Sequence, residues 1–270
     1  MVFKKVNATM NTLNEILDKL SKNEVSVAEA EKLVRLLAVA EIEGIARIDA
    51  NRACRKGIPE IVLAEGKSTT DLVEISLRML SESGRVIISR CGNEQTQALC
   101  KAVPDDANLQ VKEKARMVII KKKQFTTQST GGKIGLLTAG TSDIPVAEEA
   151  KAIAEEMGCE VFASYDVGVA GIHRILQPIK ELITKDVDVV VVVAGREGAL
   201  PSVIAGMVDV PVVAVPTSNS YGFGEKGVGT LMAMLQSCSL GLAVVNIDSG
   251  IGAGAMATLI ANRAAKFRKR

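Results

Sequence analysis

The chain has few of the residues that mark disulfide-bonded, zinc-binding or nucleic-acid-binding proteins. Its 270 residues include no tryptophan, one histidine and five cysteines. The cysteines lie far apart and form no CxxC pair, which argues against a disulfide framework or a zinc knuckle and favours reduced thiols. The formal net charge of +2 lacks the basic excess of nucleic-acid-binding domains. We therefore expect neither a nucleic-acid partner nor a zinc site.

Long apolar runs are also missing. Apolar residues make up 47% of the chain, yet no run approaches the ~20 residues that span a bilayer. The first residues mix acidic with apolar side chains and lack the h-region of a signal peptide. These features predict a cytoplasmic protein with no membrane partner. The high apolar content also predicts that some apolar surface is buried between subunits.

Residues 1–125 are predicted to form a smaller domain of helices followed by an α/β unit. Helical periodicity in TLNEILDKL, and a capping box formed by Ser26 and Glu29, predict two helices. The segments IPEIVLA, RVIISR and ARMVIIK predict strands, with helices from about Thr70 to Ser83 and from about Glu94 to Val103 between them. The polar, glycine-ended segment KKQFTTQSTGG predicts a domain boundary between residues 125 and 126.

Residues 126–270 are predicted to form an α/β domain with a doubly wound parallel sheet. Its strand candidates are KIGLLTA, EVFASYD, VDVVVVVA, VPVVAVP and LAVVNID. Helices lie between them, which indicates crossover connections and parallel pairing. Around the central strand, the predictions are a strand from Val187 to Ala194, a helix from about Ala199 to Val208 and a strand from Val210 to Val215. A last helix from about Ala253 to Lys266 packs back onto the sheet.

Ligands of open α/β sheets bind beyond the carboxyl ends of the strands, so the loops there are the candidate site. The first loop holds Gly140, Thr141, Ser142 and Asp143 ahead of a helix with Pro145. Either Ser142 and Asp143 cap the helix, or the loop cradles a phosphate. The Asp143 carboxylate repels phosphate, so it suits ribose hydroxyls or a bridging metal ion.

The other loops carry further candidates, each with a structural alternative. Asp166, His173 and Arg174 follow the second strand, and a lone histidine is as often structural as functional. Arg174 suits a phosphate or carboxylate. An isolated thiol such as Cys238 is usually buried and inert. The glycines after the last strand serve either close helix packing or approach to a phosphate.

Taken together, the loops resemble a known family. GTSD, GIHR, AGREGALPSVIAG and the glycine-rich entry to the last helix resemble the PurE-like superfamily of aminoimidazole ribonucleotide carboxylases and mutases. The ordered motifs TSDIPVAEEA, YDVGVAGIHR, EGALPSV, PTSxxYG, MLxSC and VVNID resemble one branch, the LarB family, which starts nickel-pincer nucleotide biosynthesis. RKGIPEIV, with Asp49 and Arg52 upstream, resembles that branch's additional N-terminal domain. The resemblance implies a flavodoxin-like, three-layer catalytic domain.

The resemblance also implies a reaction. Nicotinate adenine dinucleotide is carboxylated with CO₂ at C5 of its pyridinium ring and its phosphoanhydride is hydrolysed. The products are pyridinium-3,5-biscarboxylate mononucleotide and AMP. Cys238 is the implied covalent nucleophile and Glu197 the implied base. The family further implies a homo-octamer, and anhydride cleavage makes Mg²⁺ a candidate cofactor with Asp143 as its candidate ligand. The predicted substrate-binding residues are Gly140, Thr141, Ser142, Asp143, Asp166, His173, Arg174, Gly195, Gly198, Thr217, Ser218, Tyr221 and Asp248.

The chain departs from the branch at Arg196, where an apolar residue is usual, and around Ser220 and Glu225. Two other functions stay open. One is an aminoimidazole ribonucleotide carboxylase or mutase, whose substrate carbon is already nucleophilic and needs no thiol. The other is a non-catalytic nucleotide sensor that keeps the phosphate loops.

Overall fold

Two helices open the part of the chain that the computed structural model describes, which comprises residues 13–36, 40–42, 46–48, 52, 56–220 and 222–268. They are α1 (Leu13–Ser21) and α2 (Val27–Leu36). The Glu29 carboxylate accepts hydrogen bonds from the backbone and hydroxyl of Ser26, and the Ser26 oxygen accepts one from the Glu29 backbone. The predicted capping box is therefore confirmed. A short antiparallel pair follows, β1 (Ala40–Ile42) and β2 (Ala46–Ile48).

A four-stranded mixed sheet comes next. Its strands are β3 (Ile61–Leu63), β4 (Arg85–Ser89), β5 (Ala107–Lys112) and β6 (Met117–Lys122), in the order β3-β4-β6-β5. The helices α3 (Thr69–Ser83) and α4 (Asn93–Ala102) connect them, and α3 ends at Gly84 with a left-handed φ of 73°. Strand β5 is absent from the sequence-based prediction. Its six residues alternate apolar with polar and contain no apolar run, so the antiparallel hydrogen bonds to β6 define it.

A five-stranded, all-parallel sheet forms the second half of the chain. Its strands are β7 (Lys133–Thr138), β8 (Glu160–Ser164), β9 (Val189–Ala194), β10 (Val212–Pro216) and β11 (Leu242–Val244), in the order β11-β10-β9-β7-β8. Its helices are α5 (Ile144–Glu156), α6 (His173–Lys185), α7 (Ala199–Ala205), α8 (Val228–Leu235) and α9 (Gly250–Arg268). This is the flavodoxin-like strand order. The predicted fold class is confirmed, while the domain boundary between residues 125 and 126 stays a prediction.

The helices cover both faces of the parallel sheet. Side chains of α5 and α9 pack on one face and those of α6, α7 and α8 on the other. All six residues of β9 are buried, as expected for a central strand covered on both faces. The resulting three-layer arrangement places the loops after β7 and β9 on opposite faces and leaves a crevice between them.

The close packing of α9 on α5 depends on glycine. A Cβ on Gly254 would lie 2.5 Å from the carbonyl oxygen of Ala150, and one on Gly250 would lie 2.3 Å from that of Val146. Because both contacts are to backbone atoms, a larger residue would push the two helices apart. Of the two roles considered for these glycines, Gly250 and Gly254 therefore serve the close packing of α9 on α5. The helix also begins three residues earlier than predicted.

The four-stranded sheet packs against α5. Ile87, Met117 and Ile119 form one apolar cluster with Ala152 and Ile153 of α5. At its edge the Glu156 carboxylate pairs with Lys121 at 2.6 Å and with Arg85 at 3.2 Å. This packing brings the carboxyl end of β4 and the start of β6 next to the loop that follows β7. Among the described residues, no helix has the length and apolar character that crossing a bilayer demands.

Candidate active site

The crevice at the carboxyl end of the parallel sheet contains a cavity of about 450 Å³. This size falls within the usual range for small-molecule sites. The lining residues are Ala139, Gly140, Ser142, Asp143, Gly168, Val169, Ala170, Arg174, Ala194, Gly195, Arg196, Glu197, Ala199, Leu200 and Asn219. Loops after β7, β8, β9 and β10 thus meet in one place. Most of the predicted substrate-binding residues lie on these loops.

Asp143 is the buried acid of this cavity. One carboxylate oxygen accepts a 2.8 Å hydrogen bond from the Thr217 hydroxyl, and the other accepts a 2.9 Å bond from the Gly140 backbone. Burial raises the pKa of Asp143, and these donors act in the opposite direction. Of the two alternatives for this loop, side-chain capping of α5 does not hold at the N-cap residue Asp143, whose carboxylate makes no capping hydrogen bond to the helix. The carboxylate instead ties two loops together.

The loop after β10 is held from both sides. The Ser218 backbone donates to the Asp248 carboxylate at 2.9 Å, and the Asn219 amide donates to the Ser142 carbonyl at 2.7 Å. Asp248 itself has a left-handed φ of 53°. The loops after β7, β10 and β11 are therefore connected by side-chain hydrogen bonds, which preorganises the cavity wall.

The second loop supplies a guanidinium group. Arg174 donates to the backbone carbonyls of Asp166 and Gly168, at 2.9 and 3.3 Å, and forms a 3.3 Å ion pair with the Asp166 carboxylate. These contacts hold the side chain at the cavity wall, where it can meet an anion. His173, beside it, is exposed at the start of α6.

The third loop turns sharply at the end of β9. Arg196 and Gly198 both have positive φ, at 54° and 65°. A Cβ on Gly195 would lie 2.8 Å from the Thr217 hydroxyl oxygen, so glycine permits the loops to approach each other. The turn leaves Glu197 exposed, where it lines the large cavity and a neighbouring one of about 360 Å³. An exposed carboxylate at the mouth of a cavity can accept a proton from a bound substrate.

Cys238 lies elsewhere in the chain. It is exposed, in the turn between α8 and β11. Its neighbours Ser237 and Ser239 hydrogen-bond to Ser202 in α7, and the Gly241 carbonyl accepts from Val212 at the amino end of β10. These bonds place the thiol beside α7, toward the amino ends of the strands. Among the described residues of one chain, Cys238 lines neither of the cavities that Glu197 lines.

Three further residues concern the predicted site. Tyr221 and Asp49 lie outside the described residues, and Arg52 is exposed.

In the described part of the chain, no group of three or more His, Cys, Asp and Glu side chains could hold a metal ion. Both oxygens of Asp143 already accept hydrogen bonds, and the negative charge of Asp248 acts to raise its pKa further. Protein ligands alone therefore do not build a magnesium site here, although one or two carboxylates with substrate phosphates would suffice.

The site residues predicted from the sequence do not include Asn219, Arg90 or Arg116. Asn219 lines the large cavity, and the two arginines line the adjacent cleft between the sheets. An asparagine in a polar loop and arginines at strand ends carry no local signal of function. Only the packing of β4 and β6 beside α5 brings these arginines to the site.

Comparisons with known proteins cover both halves of the chain. Residues 40–123 match the family described as the LarB/PurE-like N-terminal domain, and residues 133–270 match the family described as AIR carboxylase. The chain is 44% identical to the uncharacterized protein MJ0165 of Methanocaldococcus jannaschii. The match extends over 251 residues, which are 92% of this chain and 96% of that protein.

Other relatives match only the second half. An N5-carboxyaminoimidazole ribonucleotide mutase of Methanocaldococcus jannaschii is 31% identical over 126 residues, which is 46% of this chain and 75% of that enzyme. A mutase of the same name from Pyrococcus horikoshii is 29% identical over 132 residues, 47% of this chain and 71% of that enzyme.

Proposed function

Because this chain belongs to the LarB family of the PurE-like superfamily, whose members are of the carboxylase and mutase type, we propose that it carboxylates nicotinate adenine dinucleotide. In this reaction CO₂ adds to C5 of the pyridinium ring, and water cleaves the phosphoanhydride. The products are pyridinium-3,5-biscarboxylate mononucleotide and AMP. The product would be an early intermediate of nickel-pincer nucleotide biosynthesis.

The observation that carries the proposal is the set of groups around the large cavity. A buried acid, Asp143, and a guanidinium, Arg174, face the same space as the exposed Glu197. A carboxylate suits the hydroxyls of a ribose, and a guanidinium suits a phosphate. In this proposal the ring attached to that ribose reacts beside Glu197, which lines the same cavity. Such a cavity fits a nucleotide whose ring reacts next to a carboxylate base.

The ring needs activation before it can react with CO₂. A pyridinium is electron-poor, so its C5 is not a nucleophile. Addition of a thiolate to the neighbouring ring carbon forms a C–S bond and gives a dihydropyridine whose C5 is enamine-like. The C5 electron pair attacks CO₂ and forms the new C–C bond. Removal of the C5 proton then returns its electron pair to the ring, the C–S bond breaks and the thiolate leaves.

In this scheme Cys238 supplies the thiolate and Glu197 takes the C5 proton. Cys238 follows the C-terminal end of α8. The positive charge of the pyridinium itself provides the electrostatic attraction. The thiolate is released unchanged at the end, so the enzyme needs no reductant.

Among the described residues of one chain, Cys238 lines neither cavity that Glu197 lines, so we propose that the thiol acts in a neighbouring subunit. The surface around Cys238 is suited to such a contact. Met232, Leu235 and Leu240 are 58%, 65% and 91% exposed. Large exposed apolar groups of this kind mark protein–protein contact surfaces. A homo-octamer, as proposed for this family, would bury them and bring Cys238 to another copy's cavity.

The experiment is product analysis with nicotinate adenine dinucleotide and ¹³C-labelled bicarbonate. Wild-type protein should release AMP and a mononucleotide that carries one ¹³C carboxylate, detected by mass spectrometry. Cys238→Ala should abolish carboxylation, and Glu197→Gln should bind the dinucleotide but carboxylate it slowly. Cys100→Ala is the matched control, since Cys100 is an exposed thiol on α4, in the other half of the chain. Full activity of Cys238→Ala would refute the covalent mechanism.

The same assay separates the two other functions. An aminoimidazole ribonucleotide carboxylase or mutase, the activity named for the relatives of the second half, would turn over aminoimidazole substrates and need no thiol. A nucleotide sensor would bind the dinucleotide, leave its mass unchanged and release no AMP.

A further inference from the structure

A second cavity, of about 410 Å³, lies between the four-stranded sheet and the parallel sheet. We call it the interdomain cleft. Its lining residues are Glu65, Arg90, Ala115, Arg116, Ser142, Pro145, Val146, Glu149, Ser218, Asn219 and Asp248. Two guanidinium groups from the first half of the chain therefore face loops of the catalytic half.

The cleft adjoins the active-site cavity. Ser142 and Asn219 line both, and the 2.7 Å hydrogen bond from the Asn219 amide to the Ser142 carbonyl forms the ridge between them. A ligand longer than a mononucleotide can cross this ridge and occupy both cavities. We propose that the interdomain cleft binds the 5′-adenylate half of the dinucleotide, with Arg90 and Arg116 facing its phosphate. This inference rests on the proposed function, since it assigns the second half of that substrate.

The electrostatics of the cleft favour an anion. The helices α5 and α9 both begin at its wall, next to Ser142 and Asp248, so the positive ends of two helix dipoles meet there. The Arg116 side chain is exposed, and no described residue forms an ion pair or hydrogen bond with its guanidinium. It is available to a ligand.

Arg90 is held in place by its own contacts. Its guanidinium pairs with Glu65 at 3.1 Å and donates to the Asp248 carbonyl at 3.2 Å. These contacts leave further N–H groups on the guanidinium, which has five donors. Arg90 thus joins the first half of the chain to the loop after β11 and keeps donors for a phosphate.

The acids in the cleft are largely engaged with the protein. Glu149 is buried and accepts hydrogen bonds from the Ser89 hydroxyl and the Ile251 backbone. Asp248 accepts one from the Ser218 backbone, and Glu65 pairs with Arg90. Protein donors therefore offset most of the negative charge of these three acids. The positive charges of Arg116 and of the two helix N-termini face the cavity.

The backbone at the cleft is strained. Arg90, Arg116 and Asp248 have φ of 56°, 51° and 53°, a region that residues other than glycine seldom adopt. Strain of this kind is kept where the surrounding structure holds a functional side chain in place. At the cleft, the left-handed backbone directs the Arg90 and Arg116 side chains, and the loop that carries Asp248, toward the same space.

The test is AMP binding to the full-length protein, measured by titration calorimetry without any turnover. Wild-type protein should bind AMP more tightly than adenosine or inorganic phosphate, because the cleft takes both parts of the adenylate. Arg90→Gln and Arg116→Gln should each weaken AMP binding by about 10-fold or more, as expected for loss of a charged hydrogen bond. Arg78→Gln is the matched control, since Arg78 lies on α3 and pairs with Glu82 on the same helix. Thermal unfolding of each variant establishes that it is folded.

Kinetics gives a second measurement. The two arginine variants should raise KM for the dinucleotide and weaken inhibition by added AMP. Equal AMP affinity in wild-type, Arg90→Gln and Arg116→Gln, or no AMP binding at all, would overturn the assignment of the cleft. If both variants carboxylate the dinucleotide with an unchanged KM, the assignment of the cleft is also overturned. The proposed function would then still stand. Arginine-dependent AMP binding without any carboxylation would support the adenylate site and contradict the proposed function.

Discussion

The Thr217 hydroxyl donates a 2.8 Å hydrogen bond to the Asp143 carboxylate, although the two residues are 74 positions apart. Thr217 follows β10 and Asp143 follows β7, so this single bond connects loops on either side of the central strand β9. Both side chains are buried. The carboxylate that faces the proposed ribose is thus held in position by a neutral hydroxyl.

Thr217→Val should destabilise the protein and the site. Valine keeps the volume but removes the donor, so a buried carboxylate loses one of its partners. We expect a loss of about 1–3 kcal/mol in the free energy of unfolding. Thr217→Ser keeps the hydroxyl and serves as the control. Urea unfolding of the two variants is the measurement, and equal stability of the valine and serine variants would contradict this role of the hydroxyl.

Glu149 should make stability depend on pH. Burial raises its pKa above the ordinary 4.5, so the folded state holds the proton more tightly than the unfolded chain. The stability that this carboxyl contributes is therefore complete below its ordinary pKa and is lost as pH rises through the raised value. Glu149→Gln removes the titrating group. The wild-type stability relative to this variant should fall as pH rises from the ordinary pKa through the raised one, by ~1.4 kcal/mol for each pH unit between the two.

Ser89→Ala gives the check on that prediction. The Ser89 hydroxyl donates to the Glu149 carboxylate and lowers its pKa against the effect of burial. Without it the pKa should rise further, so the total loss of stability with rising pH should become larger and extend to higher pH. Denaturation midpoints measured across the pH range would show this. A flat difference between wild-type and Glu149→Gln would show that the carboxyl does not titrate as proposed.

Gly254→Ala should separate α9 from α5. The added Cβ meets the Ala150 carbonyl oxygen at 2.5 Å, and backbone atoms cannot rotate away. We expect a loss of about 1–3 kcal/mol, typical of overpacking. Gly252→Ala on the same helix is the control, because its Cβ meets the Ser249 hydroxyl, a side chain that can turn aside. That variant should be neutral or gain up to about 1 kcal/mol from helix propensity. The measurement is thermal denaturation of the Gly254→Ala and Gly252→Ala variants beside the wild type.

Mixed oligomers test whether the thiol acts between subunits. Cys238→Ala and Glu197→Gln proteins, each with low activity, should recover carboxylation when they are unfolded together and refolded as a mixture. In a random mixture about a quarter of the sites would pair an intact thiol with an intact carboxylate. Each variant refolded alone is the control. Absence of recovery, in oligomers shown by light scattering to be mixed, would mean that both groups come from one chain.

Much of the fold was accessible from local patterns. Runs of β-branched residues identify β9 and β10, because a central parallel strand must be apolar on both faces. Helices between these strands imply crossover connections, and the loop motifs indicate the family before any coordinates. Strand β5 was missed, although its six residues alternate apolar with polar as those of a half-buried strand do. Its antiparallel pairing with β6 becomes apparent only in the folded sheet.

The sequence by itself determined which side chains are available for chemistry and that the parallel sheet would gather most of them at one edge. Tertiary structure alone decided that Asp143 binds Thr217 instead of capping its helix, and that, in the described part of one chain, Cys238 lines neither cavity that Glu197 lines. It also placed Arg90 and Arg116 beside the catalytic loops. Periodicity and capping act over a few residues, whereas these arrangements depend on contacts between segments far apart in the chain. Their geometry is set by how the two sheets and α5 pack.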